Sequence, residues 1–405
     1  MTYDDVVKSF EVSSVSFVSS GNSLNIKAER RVAKTKTLAT LLLNWTVIPD
    51  TKRQQPVTSR LKSKHLVDTM SCQTPMIVYD VPRVVAVTKI LCSSVMVVLY
   101  TPDTGSAPHV GVLVDELAGL PPADGIVFAD AHPGNPVNVL RGLNPSVIDE
   151  ANPPSPRVNA ALDPFDRKNG FDPSGNSHYS ADFQKRYYAA QSKRMNAFID
   201  AALAKLEQMK RGDYAYPDDD IIVIPRGGNP GAGPGAAAAL FNYDTDIPEI
   251  FGTARPEKLL RNDGSIVTQV VTSVYVAEPQ LAALHQTFDA GTKILSIRSF
   301  LSANAVRSTN SLDGIDDCSS NNSTICAVHS IRVPELFVAM GAHYFVRDTE
   351  REYDAATTAD KDMIVIEGAT HGFTPCTRCE TTPGQYANSV KNFFDYVRDW
   401  IAQRY

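Results

Sequence analysis

A chain of 405 residues, 43% of them hydrophobic and 21% charged, is long enough to bury one large core with additions built onto it. Its formal net charge of −6 argues against a surface that tracks phosphates, so nucleic acid is not an expected partner. The sequence has no uninterrupted apolar run of about 18 residues, so no spanning helix and no membrane partner are expected either.

The opening stretch MTYDDVVKSF is charged and lacks the apolar centre of a secretory leader, which makes a cytoplasmic location the default expectation. Phe10–Val18 has strand-like composition and fits an edge hairpin. Thr37–Val47 is a short apolar run typical of a buried parallel strand, and the polar, basic segment Lys52–Lys64 follows it. Met76–Val81 and Pro82–Val87 read as extended, and Ile90–Tyr100 has the β-branched content of a central strand. Turn formers fill Thr101–Pro108, and Gly125–Ala131 is another buried strand, ending at His132-Pro133-Gly134.

Residues 141–180 are rich in Pro, Asn, Asp and Gly and are expected to be mostly loop. The clearest helix covers Ser180–Lys210, where Phe183, Tyr187, Met195, Ile199 and Leu203 recur at mostly helical spacing. Ser180 suits its N-cap, and Arg211-Gly212 suits its end. Asp218–Pro225 is strand-like. The loop Arg226–Gly235 resembles a phosphate loop in composition only, since neither G-x-x-x-x-G-K-[ST] nor a helix-opening G-x-G-x-x-G is present. Two more β-rich runs, Ile266–Ala277 and Lys293–Phe300, flank a short helical stretch at Pro279–Phe288.

The last 75 residues carry the chemistry. Val333–Met340 is an apolar strand followed by Gly341, and Thr349–Thr357 has helical composition. Asp362–Glu367 is a second buried strand. It runs into Gly368-Ala369-Thr370-His371-Gly372-Phe373, and the amphipathic helix Gln385–Tyr405 closes the chain. A histidine on a glycine-flanked loop just past a buried strand is placed to reach a nucleophile on a neighbouring strand.

This strand–helix–strand–loop–His–helix order resembles the ending of the α/β-hydrolase superfamily. The resemblance implies a single domain over residues 1–405, with a mostly parallel sheet, helices on both faces, and a cap or lid inserted at about 135–290. It implies a hydrolase with a catalytic triad, acting as an esterase or lactonase on a small, fairly apolar substrate with no cofactor and no metal. His371 would be the base. The acid expected after the penultimate strand is Asp348, with Glu350 as the alternative; His343 reads as a pocket-wall residue.

The family's nucleophile motif, G-x-S-x-G, is absent. Asp103, in Thr101–Gly105, is the candidate in one register of the strand, and Cys92, Ser93 or Ser94 in the other. Asn44 stands where an oxyanion donor is expected. The missing motif leaves a second reading, a hydrolase-fold protein that binds a ligand without turning it over. Six cysteines are present: Cys318 and Cys326 bracket a polar loop, and Cys376 and Cys379 form a CxxC with no second CxxC or His pair at zinc-finger spacing. Either pair is a candidate for a disulfide.

Overall fold

A computed structural model describes residues 12–20, 23–30, 76–81, 83–88, 123–227, 237–285, 291–320 and 322–405. The expectations for Thr37–Val47, Lys52–Lys64, Ile90–Tyr100 and Thr101–Pro108 lie outside these residues, as do Asn44, Cys92, Ser93, Ser94 and Asp103.

In chain order, β1 (Val12–Ser20) and β2 (Ser23–Arg30) form an antiparallel hairpin where an edge hairpin was expected. Strands β3 (Met76–Val81) and β4 (Arg83–Thr88) form another. Then come β5 (Gly125–Ala129), helix α1 (Asn135–Gly142), the long helix α2 (Ala181–Arg211) and β6 (Ile221–Ile224). Next are β7 (Glu257–Leu260), β8 (Ile266–Gln269), β9 (Lys293–Ser296), β10 (Arg307–Ser308), β11 (Ile315–Asp316) and helix α3 (Thr324–Val328). The chain closes with β12 (Glu335–Met340), α4 (Val346–Ala355), β13 (Lys361–Ile366) and α5 (Ser389–Ala402).

One seven-stranded sheet in the order β3-β4-β5-β12-β13-β7-β8 organises the molecule. The five strands from β4 to β7 run parallel, and β3 and β8 are antiparallel edges. Two of these strands, β7 and β8, lie inside the 135–290 span and extend the sheet beyond β13.

The parallel strands read as unbroken apolar runs because both of their faces are covered. Alternate residues go to opposite sides. Phe128, Phe337, Ala339, Met363 and Val365 pack with Ala327, Val328 and Val346 of α3 and α4 on one face. Val127, Ala129, Leu336, Val338, Met340, Ile364 and Ile366 pack with Phe393, Val397 and Trp400 of α5 on the other. Phe128 and Phe337 stack with centroids 4.7 Å apart, and a fully buried ring of this kind contributes roughly 1.5–3 kcal/mol. This is an α/β architecture with helices on both faces of a mostly parallel sheet.

The long helix forms as its sequence indicates. Ser180 Oγ accepts the Phe183 N–H at 3.3 Å, and Asp182 in the first turn and Lys210 and Arg211 in the last complement the helix dipole. Gly212 closes the helix at φ 78°, a left-handed conformation that glycine adopts without a Cβ penalty. Its buried stripe of Phe183, Tyr187, Met195 and Ile199 joins two satellite cores beside the sheet. Cys318 is bonded to Cys326, and Cys376 to Cys379. Among the described residues no helix is long and apolar enough to cross a membrane.

Candidate functional site

The site assembles at the carboxyl ends of β5, β12 and β13, where three loops leave the parallel sheet. Strand β5 ends two residues short of its neighbour: Ala129 is its last residue, paired with Val338, while β12 continues to Met340. The chain turns sharply at Asp130, whose φ of 52° lies in the left-handed region that Asp tolerates better than most side chains. The Asp130 N–H donates to Val338 O at 2.6 Å, and Asp130 Oδ1 accepts the Met340 N–H at 2.9 Å. The carboxylate is thus pinned over the end of β12, with no exposure to solvent.

His371 arrives from the far side of β12. Beyond β13, Gly368 turns the chain at φ 62°, where a Cβ would run into the Tyr386 ring, so the turn is open only to glycine. The loop is then tied down as a small hairpin. Thr370 N donates to Thr374 O at 2.9 Å, Phe373 N to Thr370 O at 2.9 Å, and Cys376 N to Gly368 O at 2.8 Å. Phe373 also stacks on Phe393 of α5, centroids 5.5 Å apart. This anchoring brings His371 Nδ1 to 2.6 Å from Asp130 Oδ2.

A second imidazole shares the same oxygen. His343, on the loop after β12, has Nδ1 2.9 Å from Asp130 Oδ2, and its ring lies 4.5 Å from that of His371 with planes 21° apart. Tyr344 and Phe345 hold that ring, at 4.0 and 4.5 Å between centroids. Burial alone would raise the Asp130 carboxyl, but the charge and hydrogen bonds of His343 and His371 outweigh it and hold the group well below the usual carboxylate range. The two imidazoles thus favour the ionised form of the buried Asp130 carboxyl.

Both imidazoles line a cleft of about 220 Å³, walled by Tyr275, Leu281 and Tyr344 and rimmed by Arg378. Arg378 pairs with Glu278 at 2.7 Å and lies 5.6 Å above the Tyr275 ring.

The carboxylates expected to serve His371 are engaged elsewhere. Asp348 is 1% exposed and makes a bidentate pair with Arg141 of α1, at 2.6 and 2.9 Å. Glu350 accepts the Ala254 and Arg255 N–H groups at 2.7 and 3.3 Å. Both sit on α4, which points its acids away from the imidazole toward α1 and the loop before β7. The carboxylate that the fold brings to His371 is Asp130, which lies within the run Gly125–Ala131 whose composition is that of a buried strand. The available signal was a lone acid directly after a short buried strand. His343, read as a pocket-wall residue, does line the cleft and also touches the acid. Among the described residues, Asp130, His343 and His371 are a cluster able to hold a metal ion.

Comparison with known proteins gives no match: no family model, no curated protein and no solved structure matches the chain.

Proposed function

We propose that the chain is an α/β-hydrolase-like esterase or lactonase in which Asp130 and His371 form the acid–base half of the catalytic machinery. The observation that carries this reading is the 2.6 Å approach of His371 Nδ1 to Asp130 Oδ2 at the carboxyl edge of a parallel sheet, beside a cleft.

The chemistry follows from that geometry. The Nδ1–H donates to Oδ2, which fixes the tautomer and leaves Nε2 as the basic nitrogen. Nε2 takes the proton from the attacking group as it adds to the acyl carbon, then returns it to the departing alcohol. Asp130 stays ionised throughout and stabilises the imidazolium that forms between the two transfers. Because its depressed pKa keeps it from competing for that proton, the proton stays on the ring. The small cleft, with Tyr275, Leu281 and Tyr344 as walls, favours a small and fairly apolar substrate. The attacking group is the nucleophile of the enzyme or a water; Asp103, Cys92, Ser93 and Ser94 all lie outside the described residues.

A panel of p-nitrophenyl esters and simple lactones tests the reading. Turnover that His371→Ala lowers by at least about 10²–10⁴, with the fold intact by circular dichroism, is the expected result. Absence of turnover on every substrate would overturn it in favour of a ligand-binding protein, and undiminished turnover in His371→Ala would remove His371 from the chemistry.

A further inference from the structure

We propose that Asp130, His343 and His371 also form a binding site for one divalent transition-metal ion, and that this ion and the Asp130–His371 hydrogen bond exclude each other. An acid–base pair needs one imidazole. This site has two, with both Nδ1 atoms converging on the same carboxylate oxygen, at 2.6 and 2.9 Å. One donor atom from each of the three residues lies within 4.8 Å of the others.

The second imidazole is the part that the hydrolytic reading leaves without a role. His343 is only 6% exposed, and its Nδ1 faces the same Asp130 Oδ2 that His371 already engages. One carboxylate oxygen thus serves two buried imidazoles, and a metal ion among the three donors would be coordinated by all of them at once. The rest of the cluster is already braced: the Met340 N–H holds Asp130 Oδ1, so Oδ2 stays directed at the two rings.

The donor set indicates the class of ion. Two imidazole nitrogens and one carboxylate oxygen suit zinc, cobalt, nickel, manganese or ferrous iron, whereas magnesium and calcium favour all-oxygen sites. Zinc binds such donors at about 2.0–2.1 Å, which sets them roughly 3.3 Å apart in a tetrahedron. The Asp130–His pairs need to widen by about half an ångström to accept it. The cleft that both rings line supplies the space for a water as the remaining ligand.

Binding replaces the proton on His371 Nδ1 with the metal, and that proton leaves to solvent. A metal-bound Nδ1 has no hydrogen to give to Asp130, so the loaded site cannot run the proton relay. Metal occupancy is therefore inhibitory; this consequence rests on the proposed hydrolytic function, whereas binding itself does not.

The full chain, stripped with a chelator and dialysed, is titrated with ZnCl₂ by calorimetry and with CoCl₂ by visible absorption. The expected result is one ion per chain with cobalt d–d bands, and binding at least 10-fold weaker in His343→Gln and in Asp130→Asn. His343→Ala is a harsher variant, and His343→Gln serves where it fails to fold, as judged by circular dichroism. Separately, ZnCl₂ lowers ester turnover in the wild type and a chelator restores it. Turnover without any zinc binding overturns the metal site and leaves the hydrolytic reading standing. Zinc binding without turnover in the stripped protein does the reverse. Binding that is unchanged in His343→Gln places the ion elsewhere and overturns the proposal.

Discussion

Replacing Asp348 with alanine separates a structural carboxylate from a catalytic one. Asp348 and Arg141 are 1% and 4% exposed and share two hydrogen bonds, at 2.6 and 2.9 Å. Removing the acid leaves the Arg141 guanidinium buried with the Ser311 carbonyl, 3.2 Å from its Nε, and the weaker attraction of Asp317 in place of its bidentate partner. Breaking a buried pair in this way costs about 3–5 kcal/mol. Urea unfolding of Asp348→Ala should show a loss of that size, while under the proposed function the folded protein keeps kcat on p-nitrophenyl esters within about twofold. The double replacement Arg141→Met with Asp348→Leu should recover most of the loss, because an apolar pair of similar volume removes both desolvation penalties. A stability loss below about 1 kcal/mol together with a collapse of kcat would refute this division of labour and return Asp348 to the triad.

Two further outcomes follow from the same structure. Asp130→Asn keeps an acceptor for the Met340 N–H but no longer enforces the Nδ1–H tautomer of His371, so kcat should fall by about 10³–10⁴ with urea stability lowered far less than in Asp348→Ala; kcat near wild type would contradict this. Glu335 is fully buried at the start of β12, neither of its oxygens has a partner, and burial pushes its carboxyl up to about 8 from the usual 4.5. Its contribution is therefore full below about pH 4.5 and is lost as pH rises through 8, where the buried group must ionise. Between these limits the wild type should lose stability relative to Glu335→Gln at up to about 1.4 kcal/mol per pH unit, read by urea unfolding across pH 5–9; a constant difference over that range would show that Glu335 does not titrate high.

Local patterns carried much of the fold. The stripe Phe183–Tyr187–Met195–Ile199, with Ser180 before it and Gly212 after it, encodes helix α2 almost residue by residue, since caps and periodicity are properties of neighbouring residues. The adjacency of β12 and β13, and the loop that places His371 past the end of β13, were legible for the same reason. Asp130 was not legible as its partner. It lies 241 residues from His371 in sequence, and only the insertion of β12 between β5 and β13 brings the two loops together. An acid followed by alanine also reads as the tail of a strand rather than as a turn at positive φ. Asp348 misled for a related reason: it stands where the resemblance expects the triad acid, whereas its actual partner, Arg141, arrives from 207 residues away. Strands β7 and β8 are short and partly exposed, so their composition carried no sign that they extend the main sheet beyond β13.

The arrangement of Asp130 and His371 is most directly tested by nitrogen-15 NMR of the metal-free protein, with His371 assigned by replacement. A strongly low-field proton on Nδ1 of His371 is expected, disappearing in His371→Ala and moving markedly upfield in Asp130→Asn. A His371 that carries its proton on Nε2 with a bare Nδ1, or an Nδ1 proton indifferent to Asp130→Asn, would contradict it.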